Sequence, residues 1–258
     1  MSSPRTRHAA GAVALLILLA GCDTIASRRL DFDTTESARV DRVTVLPGAG
    51  DVVLHGTGPA GQVRVKRTLR YQGDQPGQTW RVDGAALVLD TDCGPRCSVS
   101  YDVTLPKGVE VRGETASGNV ELAGTGPVQF TARSGDVRVA GATGAVRIEA
   151  NSGNVEVSDV TGPTRLRANS GNVTGTRLAG PVDADADSGN ITLDVSTPAG
   201  VRAHAASGDV SVLVPPGAYR VQARADSGDK QVGFTDDPKA TVLLDVSADS
   251  GNVTLTAR

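Results

Sequence analysis

The chain has 258 residues, with 26 Lys and Arg against 29 Asp and Glu and a net charge of −3. It lacks the concentrated positive charge of a nucleic-acid binder. Only 3% of residues are aromatic whereas 31 are glycine, which suits many short strands joined by tight turns and gives few stacking platforms for sugars.

Arg5, Arg7 and His8 precede an apolar run from Ala9 to Ala20 that ends in Leu19-Ala20-Gly21-Cys22. A charged start, about a dozen apolar residues and small residues before a cut describe a secretory signal, too short to span a bilayer. Leu-Ala-Gly-Cys resembles the lipobox of bacterial lipoproteins. That resemblance implies cleavage before Cys22 and lipid attachment at Cys22, leaving the mature chain anchored to a membrane on the extracytoplasmic side of the cell envelope. Two acyl chains suffice for stable anchoring. An ordinary signal peptide with a chance cysteine is the alternative. On the lipoprotein reading residues 1–21 are the signal peptide and 22–30 a polar tether. Removing 1–21 deletes Arg5 and Arg7 and no acid, which leaves 24 basic against 29 acidic side chains, a net charge near −5.

Residues 31–110 carry strand vocabulary without regular spacing. Val43 and Val45, then Gly50-Asp51-Val52-Val53-Leu54, then Val63 and Val65 read as a degenerate first coil. Leu87–Leu89 and Val99–Leu105 add two strands, and a Gly- and Gln-rich loop covers Gln72–Gln78. A repeat stack needs irregular end units to protect its edges, so this region is expected to be a β cap. Cys93 and Cys97 form an even pair once Cys22 is lipidated. In an extended strand they would lie roughly 13 Å apart, beyond the ~7 Å a disulfide allows. Gly94-Pro95 supplies the turn that brings them together, and export makes a disulfide the expected state. Two thiols alone make a poor zinc site, and the spacing is not that of a redox Cys-x-x-Cys.

From residue 111 to 258 the chain repeats. Eight Ser-Gly-Asn/Asp phrases have serines at 117, 134, 152, 170, 188, 207, 227 and 250. Their turn residues are Gly118-Asn119, Gly135-Asp136, Gly153-Asn154, Gly171-Asn172, Gly189-Asn190, Gly208-Asp209, Gly228-Asp229 and Gly251-Asn252. Glycine supplies positive φ, and Asn or Asp tolerates left-handed geometry. Two residues before each serine stands alanine, broken only by Thr115, and apolar columns recur four and six residues before it. This period-two alternation marks a strand with one buried face. Val120 and Leu122, Val137 and Val139, and Val155 and Val157 begin a second strand after each turn.

Antiparallel hairpins and a stacked parallel β-solenoid both accommodate these strands. Column identity favours the solenoid, because stacked coils place equivalent residues about 4.8 Å apart and reward like-with-like columns. The expected fold is therefore all-β: a parallel β-solenoid of ~18-residue coils with an irregular N-terminal cap, as one continuous domain. The Asn and Asp turn residues are expected to form a ladder in which the aspartates limit side-chain amide bonding. The wider gaps after Ser207, with Phe234 and Asp236-Asp237-Pro238, are expected to mark decay of the repeat toward its other end.

Leu105-Pro106-Lys107-Gly108-Val109-Glu110-Val111, running into Ser117-Gly118-Asn119-Val120-Glu121-Leu122, resembles the bacterial family named "putative adhesin". The resemblance covers most of residues 40–258. It implies a β-solenoid on an exported or envelope protein, with no catalytic residues, and by analogy alone an accessory role in envelope-stress signalling.

Chemistry is sparse. Asp183, Asp185 and Asp187 alternate on one strand face and are the densest carboxylates; their spacing suits solvation better than glycoside chemistry, which needs a paired, pKa-shifted couple. Glu149 and Arg167 offer cross-strand partners on neighbouring coils. After processing, only His55 and His204 remain, without metal-ligand spacing. The Asp187, Asp226 and Asp249 corners read as turns rather than calcium sites, since the repeat is twice the calcium-roll nonapeptide. The expectation is a non-enzymatic envelope protein without metal or cofactor, an adhesin-like binding or scaffold module whose partner is an envelope protein or glycan. A polysaccharide-active hydrolase or lyase is the alternative from another class.

Overall fold

A computed structural model describes residues 27–258. Residues 1–26, including Cys22, lie outside the described residues. Among the described residues every regular element is a strand. The first seven are β1 (Arg28–Glu36), β2 (Arg42–Leu46), β3 (Val52–Gly58), β4 (Val63–Tyr71), β5 (Trp80–Asp83), β6 (Ala86–Asp90) and β7 (Cys97–Pro106). The regular coils follow as strand pairs: β8 (Glu110–Thr115) and β9 (Val120–Ala123), β10 (Val128–Ser134) and β11 (Val137–Ala140), β12 (Val146–Ser152) and β13 (Val155–Ser158). Next come β14 (Thr164–Ser170) and β15 (Val173–Leu178), β16 (Val182–Ser188) and β17 (Ile191–Val195), β18 (Val201–Ser207) and β19 (Val210–Val214). The last are β20 (Arg220–Ser227), β21 (Lys230–Val232), β22 (Leu243–Ser250) and β23 (Val253–Ala257).

In each regular coil the strand before the Ser-Gly-Asn/Asp corner joins an 11-stranded sheet, and the strand after it joins a 12-stranded sheet. Successive coils pair in parallel and in register: Val128 faces Val146, Phe130 faces Ile148 and Ala132 faces Ala150. The alanine column continues through Ala168, Ala186 and Ala205. Period-two alternation explains which face is inside. Val146, Ile148 and Ala150 are buried between the sheets while Arg147 is exposed. Full burial of a Val or Ile side chain contributes about 1.5–3 kcal/mol, so the valine columns supply the driving force for stacking. Thr115, the break in the alanine column, is fully buried, and its hydroxyl donates to the Ser117 carbonyl at 3.1 Å.

Both ends depart from chain order. At the N-terminal end, β2 and β3 stack directly on β8 and β9, the place expected of a degenerate first coil. The later pair β6 and β7 lies outside them, parallel to β2 and β3. β5 then closes antiparallel on β6, β4 on β7 and β1 on β4. The irregular region thus contains two coils of the stack as well as a cap. Arg28, Arg29 and Leu30 belong to β1, paired with Tyr71, Arg70 and Leu69, rather than to a tether reaching residue 30. The reason is that Leu30 and Phe32 alternate inward and pack against the core.

At the C-terminal end, β22 and β23 insert between the β18–β19 coil and the β20–β21 coil. The widened spacing after Ser207 is therefore not decay of the repeat. It marks a chain that skips one slot and returns through residues 233–242 to fill it. Leu244, Val246 and Ala248 are each 0% exposed, whereas Val221, Ala223 and Ala225 are only partly buried. The bulkier apolar triplet takes the inner position. A Cys93–Cys97 disulfide, with Cα atoms 5.5 Å apart, closes the turn between β6 and β7.

Candidate functional site

The repeated corners are a hydrogen-bond ladder. Each Asn or Asp uses its side-chain oxygen to accept the backbone N–H of the equivalent residue one coil on. Asn119 Oδ1 accepts from Asp136 at 3.0 Å, Asp136 from Asn154 at 2.7 Å, Asn154 from Asn172 at 3.0 Å and Asn172 from Asn190 at 2.9 Å. The ladder continues through Asp209 and Asn252 to Asp229. At the other end it runs back to Asp51, whose Oδ1 accepts from Asn119 at 2.8 Å, and to Ser100, whose Oγ accepts from Asp51 at 3.1 Å. Aspartate serves this ladder as well as asparagine does, because the acceptor is an oxygen that both side chains own. Side-chain amides add bonds only from Asn154 to Asp136 and from Asn252 to Asp209 among the described corners.

The outer faces pair charges across coils. Asp183 accepts from Arg165 at 2.8 Å, and Glu149 is held by Arg147 on its own strand at 2.6 Å. Arg167 sits in register between Glu149 and Asp185 and, among the described residues, forms an ion pair with neither, so it is not the partner expected for the β16 acids. Asp183, Asp185 and Asp187 remain on one face of β16 as alternation requires. Arg138 meets Glu156 at 2.7 Å. Glu110 lies between Arg42 at 2.8 Å and Arg112 at 2.6 Å; hydrogen bonds from these arginines, Arg42 foremost, hold its carboxyl below the usual carboxylate range. Asp159 and Arg177 both adopt positive φ, and their bidentate pair, with both contacts at 2.6 Å, lowers the pKa of Asp159. Among the described residues no group of three His, Cys, Asp or Glu side chains is arranged to hold a metal ion.

Two clusters escape a reading from repeat columns. In the cap, the Tyr101 hydroxyl lies 2.6 Å from the Thr79 carbonyl oxygen, to which it donates its one proton, with Thr79 Oγ1 at 2.7 Å and the Asp90 carbonyl at 2.9 Å, and burial pushes its pKa far above the usual phenol value. Arg67, only 8% exposed, donates to Gly77 O and Thr79 Oγ1 at 3.1 Å and lies 4.3 Å over the Phe32 ring. Burial lowers the guanidinium pKa. The sequence signal was its inward place in the Val63-Val65-Arg67-Leu69-Tyr71 alternation. These bonds pin the Gln72–Gln78 loop over the end of the core. The second cluster is His204, with Nδ1 3.0 Å from Ser247 Oγ and Nε2 3.9 Å from Asp249 Oδ2. His55 lies far from it, 3.6 Å from Asp102.

The fold and its surfaces define a capped, two-sheet parallel β-solenoid whose repeated polar residues hold one coil to the next. The chain belongs to the Toastrack DUF4097 family, a match that spans residues 99–256. A comparison with curated proteins finds no match. Among solved structures the chain is similar to a "putative adhesin" from Bacteroides fragilis NCTC 9343, at 12% identity and a TM-score of 0.46, covering 89% of this chain and 97% of that one. It is also similar to a "putative cell adhesion protein" from Clostridium sporogenes ATCC 15579, at 12% identity and a TM-score of 0.28, covering 90% of this chain and all of that one.

Proposed function

We propose that the protein is a non-enzymatic, lipid-anchored module of the cell envelope that binds or spaces other envelope components. The observation that carries this reading is where the stack begins. β1 starts at Arg28, six residues beyond Cys22, and forms an edge at the capped end of the stack. Six extended residues reach about 20 Å. An anchor at Cys22 would keep the capped end within that distance of the bilayer. The engagement of Asp183 by Arg165 favours a binding surface over carboxylate catalysis.

The experiment is the N-terminal mass of membrane-extracted protein, compared with Cys22→Ala. The wild type is expected to begin at a diacylated Cys22 and to partition with membranes, and the variant to lose the lipid. An unmodified wild type beginning at Met1 removes the anchor from this reading. Glycan turnover abolished by Asp183→Asn or Asp185→Asn would replace the binding module with an enzyme.

A further inference from the structure

The outer face of the 11-stranded sheet carries a trough at the end far from the cap. The skipped slot sets three strands side by side in the order β18, β22, β20, and their outward side chains differ in length. β22 presents Asp245 and Ser247, flanked in register by Arg202 and His204 of β18 and by Gln222 and Arg224 of β20. Short residues in the middle and long ones on both sides leave a cleft of about 520 Å³. Its walls stand two strand spacings apart, about 9.6 Å between backbones, enough for one pyranose chain lying along β22.

The trough carries a cation that its neighbouring acids leave unpaired. Arg202 lies in register between Asp183 and Asp245, but Asp183 turns the other way to Arg165. Among the described residues Arg202 forms no ion pair. Arg224, on the opposite wall, holds Asp226 through Nε at 3.1 Å. The Ser247, His204 and Asp249 cluster has the residue types of a nucleophilic triad without its geometry. The 3.9 Å separation of His204 from Asp249 exceeds hydrogen-bond reach, and β22 pairs on both sides, so its backbone N–H groups are not free to form an oxyanion hole. The cluster is equipped for binding.

We propose that this trough binds an anionic glycan, one polysaccharide strand bearing carboxylates. Guanidinium groups recognise carboxylates through paired N–H donors, and Arg202 and Arg224 supply them from the two walls. Asp245 on the floor accepts from sugar hydroxyls, while Ser247 and Gln222 both donate and accept. An acidic peptide brings the carboxylates but offers Asp245 few hydroxyl donors. A neutral glycan brings no carboxylate to Arg202 and Arg224 and finds no Trp, Tyr or Phe in the trough to stack on. The proposal rests on the binding-module reading and names its ligand class; it does not depend on the lipid anchor.

The test titrates the full-length chain, in the detergent used to extract it, with oligogalacturonate, with neutral dextran oligosaccharide of equal length and with poly-glutamate. Saturable binding of oligogalacturonate alone is expected, weakened at least tenfold by Arg202→Ala and by Arg224→Ala and unchanged by Arg147→Ala on a distant coil. All three arginines are exposed, so melting temperatures of the variants verify that folding is intact. Absence of oligogalacturonate binding, equal binding of poly-glutamate, or binding indifferent to Arg202→Ala overturns the proposal. A pull-down from envelope material separates the two levels: partners still captured by Arg202→Ala, without oligogalacturonate binding by the wild type, defeat the trough and spare the broader reading. Capture of nothing by the wild type defeats the broader reading.

Discussion

Gly153 has φ +129°, and an added Cβ would lie 2.2 Å from the Gly135 carbonyl oxygen one coil away. Two constraints therefore act on one residue, a backbone region that L side chains avoid and a gap too small for a methyl. Gly153→Ala is expected to lose about 3 kcal/mol, combining strain and overpacking, read as a lower urea midpoint; an unchanged midpoint would show that the corner relaxes freely. Asn172, one coil on, tests what the ladder is made of. Its oxygen accepts from Asn190, so Asn172→Ala is expected to lose about 1 kcal/mol while Asn172→Asp stays within ~0.5 kcal/mol of wild type. Equal losses in both variants would mean that the amide, not the oxygen, matters. Glu110 gives the pH response. Its folded pKa is depressed by Arg42 and Arg112, so its contribution is present above its unfolded pKa of about 4.3 and is lost as pH falls through the folded value. Urea midpoints of wild type and Glu110→Gln should differ at pH 6 and converge as the pH drops well below 4; a constant gap would assign the effect to packing.

The strands at the two ends show how a repeat can be legible in content and illegible in order. Strand faces, corners and in-register columns all follow from period-two alternation and the recurrent Ser-Gly-Asn/Asp phrase, and the pairing of Ala132 with Ala150 is the column written in the sequence. Spatial order is not, because β20 and β22 carry interchangeable columns and only the size of Leu244 and Val246 against Val221 and Ala223 separates inner from outer. Chain order therefore sets His204 beside Arg224, whereas the structure sets it beside Ser247, and the trough with its Ser247 contact was invisible. Asp51 joins the ladder behind Ala49 rather than serine, and Arg67 occupies an inward position that alternation reserves for apolar side chains. The outer placement of β20 also creates a hazard, since it ends its sheet. Arg220 N–H points inward to Val242 O, so alternation turns the N–H groups of Val221, Ala223 and Ala225 outward. The return loop covers the first: Asp236 Oδ1 accepts from Val221 N–H and Asp237 N–H donates to Tyr219 O, both at 2.8 Å. Open edges invite pairing with other chains. Asp236→Ala is expected to raise self-association in sedimentation, and Ala223→Pro added to it to reverse the effect by removing an outward donor while sparing the inner pairing. A variant as monodisperse as wild type would show that Asp236 does not guard the edge.

For the whole molecule, stability is a sum over coils and the interfaces between them, so the ends decide where unfolding starts. The two ends are unequal. At the capped end one sheet extends through β4 and β1 and the other through β5, Tyr101 and Arg67 fasten the covering loop, and the Cys93–Cys97 bond restrains the outermost coil. At the far end both sheets stop at the same coil, one of whose strands is the three-residue β21. Fraying should therefore begin at β20 and β21, beside the trough, while the coils of β12 to β17 remain closed. Native-state hydrogen exchange reads this directly, because local opening free energies separate end units from the interior. Protection is expected to be highest in β12–β17, intermediate in β6 and β7 and lowest in β20 and β21. Replacing Cys93 and Cys97 by serine should lower protection in β6 and β7 by about 2 kcal/mol, the chain-entropy value for so short a loop, and leave β20 and β21 unchanged. Equal protection along the stack would mean that the coils open as one unit and that the far end is not the weak point. A ligand seated across β18, β22 and β20 would bridge the two outermost coils, and protection gained there on binding would place it at the end that opens first.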